Sequence, residues 1–154
     1  MKNATSRHGY FWAALCLLAA WGAARANTDK PIILADTQGA THQILLATDA
    51  TPPEQNAAKE VASLLQQVTG REFKTVNQRT EGRPVIAVGA GAAHVVSPDL
   101  DLSHGSLGDE GIIIQTHGQD LILSGAEKAP RGTIYAVYTF LEDEAGCRWW
   151  SPRA

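Results

Sequence analysis

Two apolar triplets, Ile112-Ile113-Ile114 and Leu121-Ile122-Leu123, stand on either side of Gly118-Gln119 and constrain the fold more than any other feature. Their flanks predict a β-hairpin with strands from Gly111 to His117 and from Asp120 to Gly125, turning at the glycine. Successive strand side chains point to opposite faces, so three apolar residues in a row require a sheet covered on both sides. The rest of the chain must supply both covering layers.

Two helices are predicted. Thr51 can cap the first, Pro52 suits its first position and Glu54 completes a capping box. Ala57, Val61, Leu64, Leu65 and Val68 share one face, and Gly70 supplies the left-handed stop. The second starts near Pro130, carries Ile134, Val137, Tyr138 and Leu141 at i, i+3, i+4 and i+7, and stops at Gly146. Its last turn, Glu142-Asp143-Glu144, sets negative charge at the negative end of the helix dipole, which calls for a local cation such as Arg148. Further strands are expected at Pro31 to Ala35, Gln43 to Thr48, Glu72 to Val76 and Pro84 to Gly89, and a tryptophan-rich one comes after Gly146. Residues 90–108, with small residues and then Pro98, Asp99, Asp101 and Gly105, read as a loop with at most one helical turn. The two helices account for one face of the sheet. The other is left for a partner.

The amino terminus is of a different kind. Lys2, Arg7 and His8 precede an apolar run from Phe11 to Ala24, and Ala24-Arg25-Ala26 offers the small residues a signal peptidase reads. Residues 1–26 are therefore expected to be a cleaved signal peptide and residues 27–154 one domain, secreted or periplasmic. The apolar run falls short of the roughly 20 residues that cross a bilayer. Loss of Lys2, Arg7 and Arg25 leaves ten cationic residues against sixteen acidic ones, a formal charge of −6. That balance argues against nucleic acid or an anionic membrane as partner. Cys147 alone remains of the two cysteines, so the core must be held by apolar packing without a disulfide.

Few residues carry a chemical signature. Gly89-Ala90-Gly91 after a strand opens a dinucleotide fingerprint, but the third glycine position falls at His94, and Pro98 would interrupt a helix there. His42, His94, His104 and His117 lack metal-ligand spacing, and surface or loop placement is their default. Asp109-Glu110 and Glu142-Asp143-Glu144 are acidic clusters, yet neighbours in sequence do not face one another across a sugar as a glycosidase pair must. No catalytic, cofactor-binding or metal-ligating residue is assigned. Arg131, Tyr135, Arg148, Trp149 and Trp150 are the residues expected at an interface or a carbohydrate contact, since indoles and guanidinium groups concentrate at both.

One order of motifs runs through the chain. The helix ends Val68-Thr69-Gly70, and Val88-Gly89, Gly108-Asp109-Glu110-Gly111 and Ser124-Gly125 come after it. Arg131-Gly132-Thr133-Ile134-Tyr135, Phe140-Leu141-Glu142 and Gly146-Cys147-Arg148-Trp149-Trp150-Ser151-Pro152 complete it. The succession resembles the N-terminal domain of large secreted glycoside hydrolases, the small domain before the barrel in alpha-glucuronidases and beta-N-acetylhexosaminidases, and its ending is similar to a bacterial branch of that group. The resemblance implies an α+β sandwich, a mostly antiparallel sheet with two main helices packed on one face, whose partner is a catalytic (β/α)8 barrel. It places the catalytic acids in that barrel, reached in cis or in trans. The expectation is a non-catalytic accessory domain of a polysaccharide-degrading hydrolase. Two rivals are a free-standing carbohydrate-binding module that uses Trp149 or Trp150, and an interaction domain that dimerises through the uncovered face.

Overall fold

Capping residues set the first long helix of the computed structural model, which describes residues 31–129 and 131–149. The expected leader at residues 1–26, together with Trp150, Ser151 and Pro152, lies outside the described residues. Helix α1 runs Pro52–Thr69 behind Thr51, whose amide and hydroxyl both donate to the Glu54 carboxylate at 2.8 Å. Gly70, at φ 68°, ends it and donates to the Gln66 carbonyl. Ala57, Ala58, Val61 and Leu65 are buried. Val68, expected with them, is 53% exposed. It shares the azimuth of Val61, so the helix outruns the layer beneath it.

The sheet is five-stranded: β1 (Gln43–Leu46), β2 (Thr75–Val76), β3 (Val85–Val88), β4 (Ile112–His117) and β5 (Asp120–Gly125), in the order β2-β1-β3-β5-β4. It is mixed and mostly parallel, which corrects the expectation of an antiparallel sheet. Ile44 stands beside Ile86 and Ala87 beside Ile122 in parallel register, and β4 alone runs antiparallel to its neighbour. The reason lies in the connections. Parallel neighbours need a long crossover, usually helical, and α1 lies between β1 and β3 in the chain while two short helices lie between β3 and β5. The expected hairpin forms, turning at Gly118 with φ 63°. Pro31 to Ala35 forms no strand, only a bridge between Ala35 and Ala40 around a turn where Asp36 accepts from the Gln38 and Gly39 amides.

Both faces are covered from within the chain. Ile44, Leu46, Ile86, Val88, Leu121 and Leu123 pack on one side against α1 and against α4 (Gly132–Asp143), which contributes Ala136, Val137, Phe140 and Leu141. The intervening residues Leu45, Val85, Ala87 and Ile122 pack on the other side. There they meet Ala92, Ala93 and Val96 of α2 (Ala90–Val96) and Leu102, with α3 (His104–Leu107) alongside. The segment read as loop therefore supplies the second layer, and the face left for a partner is filled. Small residues make this possible: a Cβ on Gly91 would lie 2.7 Å from the Ala47 Cβ, so α2 approaches more closely than a larger residue there allows.

The start of α4 crosses the end of β5 at two glycines. A Cβ on Gly125 would come within 2.5 Å of the Gly132 Cα, and one on Gly132 within 2.7 Å of the Gly125 Cα. The Gly125 amide donates to the Thr133 hydroxyl at 3.2 Å. Thus Ser124-Gly125 and Arg131-Gly132-Thr133, separate motifs in the sequence, are two halves of one contact. At its other end α4 gives way to Gly146, φ 71°, and the Cys147 amide returns to the Leu141 carbonyl. The stretch 146–149 is not a strand, contrary to expectation. It is a strap lying back over the helix.

Candidate functional site

That strap and the outward side of α4 build a groove. Residues 135, 138, 139 and 142 keep helical spacing along one side of α4, and Trp149 is brought over them by the reversal at Gly146. Tyr135, Tyr138, Thr139, Glu142 and Trp149 line a surface cavity of about 360 Å³. Tyr138 and Trp149 meet edge to face, centroids 5.1 Å apart and planes at 73°, an arrangement that complements the aromatic quadrupoles. Trp149 is still 49% exposed and Tyr135 37%. Burial pushes the Tyr138 phenol up from its usual range, and the Glu60 carboxylate adds to the effect.

Of the five residues expected at a contact, the structure brings Tyr135 and Trp149 together. Arg148 is adjacent on the strap but turned away: its Nη1 donates to the carbonyls of Glu142 at 2.7 Å and Cys147 at 2.8 Å. It serves as the cation at the negative end of α4. Arg131 is at the opposite end of the helix, paired with Glu110 at 3.1 Å, and does not reach the groove. Trp150 lies outside the described residues. Tyr138, Thr139 and Glu142 were not expected at the site from sequence, although their spacing from Tyr135 already puts them on one helical side.

A polar cluster sits at the end of the sheet where β1, β3 and β5 begin, and its role is structural. Asp120, 5% exposed, accepts from the Val85 amide at 2.8 Å and holds Arg79 at 2.8 Å. His42, expected at the surface, is 2% exposed, with Nε2 2.8 Å from the Gln119 carbonyl and Nδ1 2.8 Å from the Thr41 hydroxyl. Burial lowers its pKa below the ordinary 6.5, against the opposing pull of the Gln119 carbonyl and Asp120. These bonds tie the hairpin turn to the leading ends of β1 and β3.

At the other end of β3, Gly89 with φ 87° turns the chain directly into α2, so a helix does come after the glycines. The Ala90 amide, however, donates to Glu54 Oε1 at 3.0 Å, and a Cβ on Gly89 would lie 2.3 Å from the same oxygen. A carboxylate of the chain itself fills the position a phosphate would need. Among the described residues no three of His, Cys, Asp and Glu lie close enough together to hold a metal ion, and no helix is long and apolar enough to cross a membrane.

Fold and groove together define a small domain of α and β structure, a mixed sheet with helices on both faces and an aromatic surface patch on its last helix. The sequence profile of the glycosyl hydrolase family 67 N-terminus matches residues 33–140, and the chain belongs to that family. The match runs from before β1 through most of α4, and it bears out the resemblance to the N-terminal domain of a glycoside hydrolase. No curated protein matches the sequence.

Proposed function

We propose that this chain is a non-catalytic accessory domain of a secreted polysaccharide-degrading hydrolase, working beside a catalytic (β/α)8 barrel in cis or in trans. The family supports the setting, and the apolar run ending at Ala24-Arg25-Ala26 supports export. The observation that carries the non-catalytic reading is where the acidic side chains go. A glycosidase needs two carboxyl groups roughly 5 to 10 Å apart, facing each other across a sugar. Asp109 instead binds His104 at 2.8 Å, and Glu110 binds Arg131. Asp101 is engaged by the Ser106 and Ser103 hydroxyls and the Ser103 amide, which hold its carboxyl down to about 2. A general acid needs the reverse shift. Glu54 is spent on Thr51 and Ala90, and Asp120 on Arg79 and Val85.

The full chain is expected to release no nitrophenol from nitrophenyl glucuronides or N-acetylglucosaminides. Turnover that disappears in Asp109→Asn or Glu110→Gln overturns the reading.

A further inference from the structure

The groove on α4 has a chemistry of its own that an accessory role leaves unexplained. We infer that it binds a neutral pyranose oligosaccharide. A pyranose is amphipathic, with C–H bonds on its faces and hydroxyls around its rim, and it needs an aromatic surface beside a few polar groups. Tyr135 and Trp149 present that surface, half exposed, and the edge-to-face contact with Tyr138 fixes the indole in advance, so less side-chain ordering remains to oppose binding. Thr139 and Glu142 stand in the same lining, a hydroxyl that donates or accepts and a carboxylate that accepts charge-assisted bonds from sugar hydroxyls. From residue 135 to residue 142 the helix advances about 10 Å, the scale of a short oligosaccharide, and the cavity falls within the roughly 300–1,000 Å³ of small-molecule sites.

Charge selects among sugars. Glu142 lines the groove, Asp143 and Glu144 come directly after it, and the Arg148 guanidinium on the strap is committed to the carbonyls at the helix end. A uronic acid seated here meets like charge, and the described lining residues include no cation to pair it, whereas an uncharged ring loses nothing. Binding of this kind is independent of the accessory role: it belongs to the chain alone, and neither the presence of a barrel nor the absence of turnover bears on it.

The test is calorimetric titration of the full chain with xylotetraose, cellotetraose and tetragalacturonic acid, with the Trp149 indole N–H followed by NMR. Saturable binding of one or both neutral tetramers, with a shift of that signal, is expected. Trp149→Ala should weaken it about tenfold or more, and so should Tyr135→Ala, an exposed substitution that leaves the Tyr138–Trp149 pair in place. The acidic tetramer should bind at least tenfold more weakly, and Glu142→Gln should narrow that gap. No saturable binding of a neutral tetramer, or binding unchanged in both aromatic variants, overturns the inference. So does tetramethylammonium binding tighter than the sugars, which makes the groove a cation cage, or a Trp149 shift on dilution alone, which makes it a contact between copies of the chain.

Discussion

His42 shows how one side chain sets a pH dependence for the whole fold. Its ring is buried beneath the hairpin turn, and desolvation disfavours the imidazolium more than Gln119 and Asp120 restore it, with Arg83 adding to the depression. A depressed folded-state pKa means the unfolded chain binds the extra proton first. His42's contribution is therefore complete above the ordinary 6.5 and is lost as the pH falls from there towards the folded-state value, with a slope of at most about 1.4 kcal/mol per pH unit. Urea titrations between pH 8 and pH 4.5 should show this decline, and His42→Gln should flatten the step in that window. Asp120 makes a different prediction: Asp120→Ala leaves the buried Val85 amide without its acceptor and Arg79 without its anion. A loss of about 2 kcal/mol is expected from the denaturation midpoint. Neither residue was marked by the sequence, because burial of a polar side chain depends on which turn folds over it, and that turn is 77 residues from His42.

Element by element, legibility depended on how local the cause is. Helix α1 was readable to the residue because its start and stop are made by Thr51, Glu54 and Gly70 themselves. The hairpin was readable for the same reason, through Gly118. Strand direction is where expectation and structure part, although Val85-Ile86-Ala87-Val88, buried throughout, is the continuous apolar run that marks a central parallel strand. Helix α2 was missed because it has no strong amphipathic pattern: alanines and a glycine hold it close to the sheet, and their signal is size. At the site, residue type points to Tyr135 and Trp149, whereas Tyr138 reads as part of the apolar stripe and Glu142 as charge at the helix end, since a reversal at Gly146 is needed to show that one strap lies across them. The crossing of α4 over β5 gives the sharpest element-scale prediction. Gly132→Ala places a methyl group against the Gly125 backbone, which cannot rotate away, and should cost about 1–3 kcal/mol with α4 displaced. Gly82→Ala, whose Cβ meets nothing within 4 Å but whose φ is +72°, serves as the contrast. It strains only its own turn and should leave the amide signals of α4 unmoved.

At the scale of the whole molecule, the central strands belong to two apolar layers at once. Residues 44, 46, 86, 88, 121 and 123 face α1 and α4, while 45, 85, 87 and 122 face α2 and Leu102, so neither layer can open without exposing the back of strands that the other still needs. Unfolding is therefore expected to be a single cooperative event. Leu102, 1% exposed on one side, and Leu141, fully buried on the other, test this as a pair. Each truncation to alanine removes comparable apolar volume and leaves a cavity, at a cost of about 2–5 kcal/mol. If the sheet couples the layers, both variants shift one transition, with far-ultraviolet circular dichroism and tryptophan fluorescence coincident in urea. The discriminating variant is Leu102→Ala. Were the α2 layer a detachable cover, its loss would bare the second face while α1, α4 and the Trp149 groove stayed folded. The fluorescence transition would then keep its midpoint, and a hydrophobic dye would bind before it. Coincident transitions without early dye binding mean that the chain covers both faces of its own sheet, so a partner domain has the outer surfaces of the helices and the sheet edges at β2 and β4 to dock on, and the faces of the sheet are closed to it.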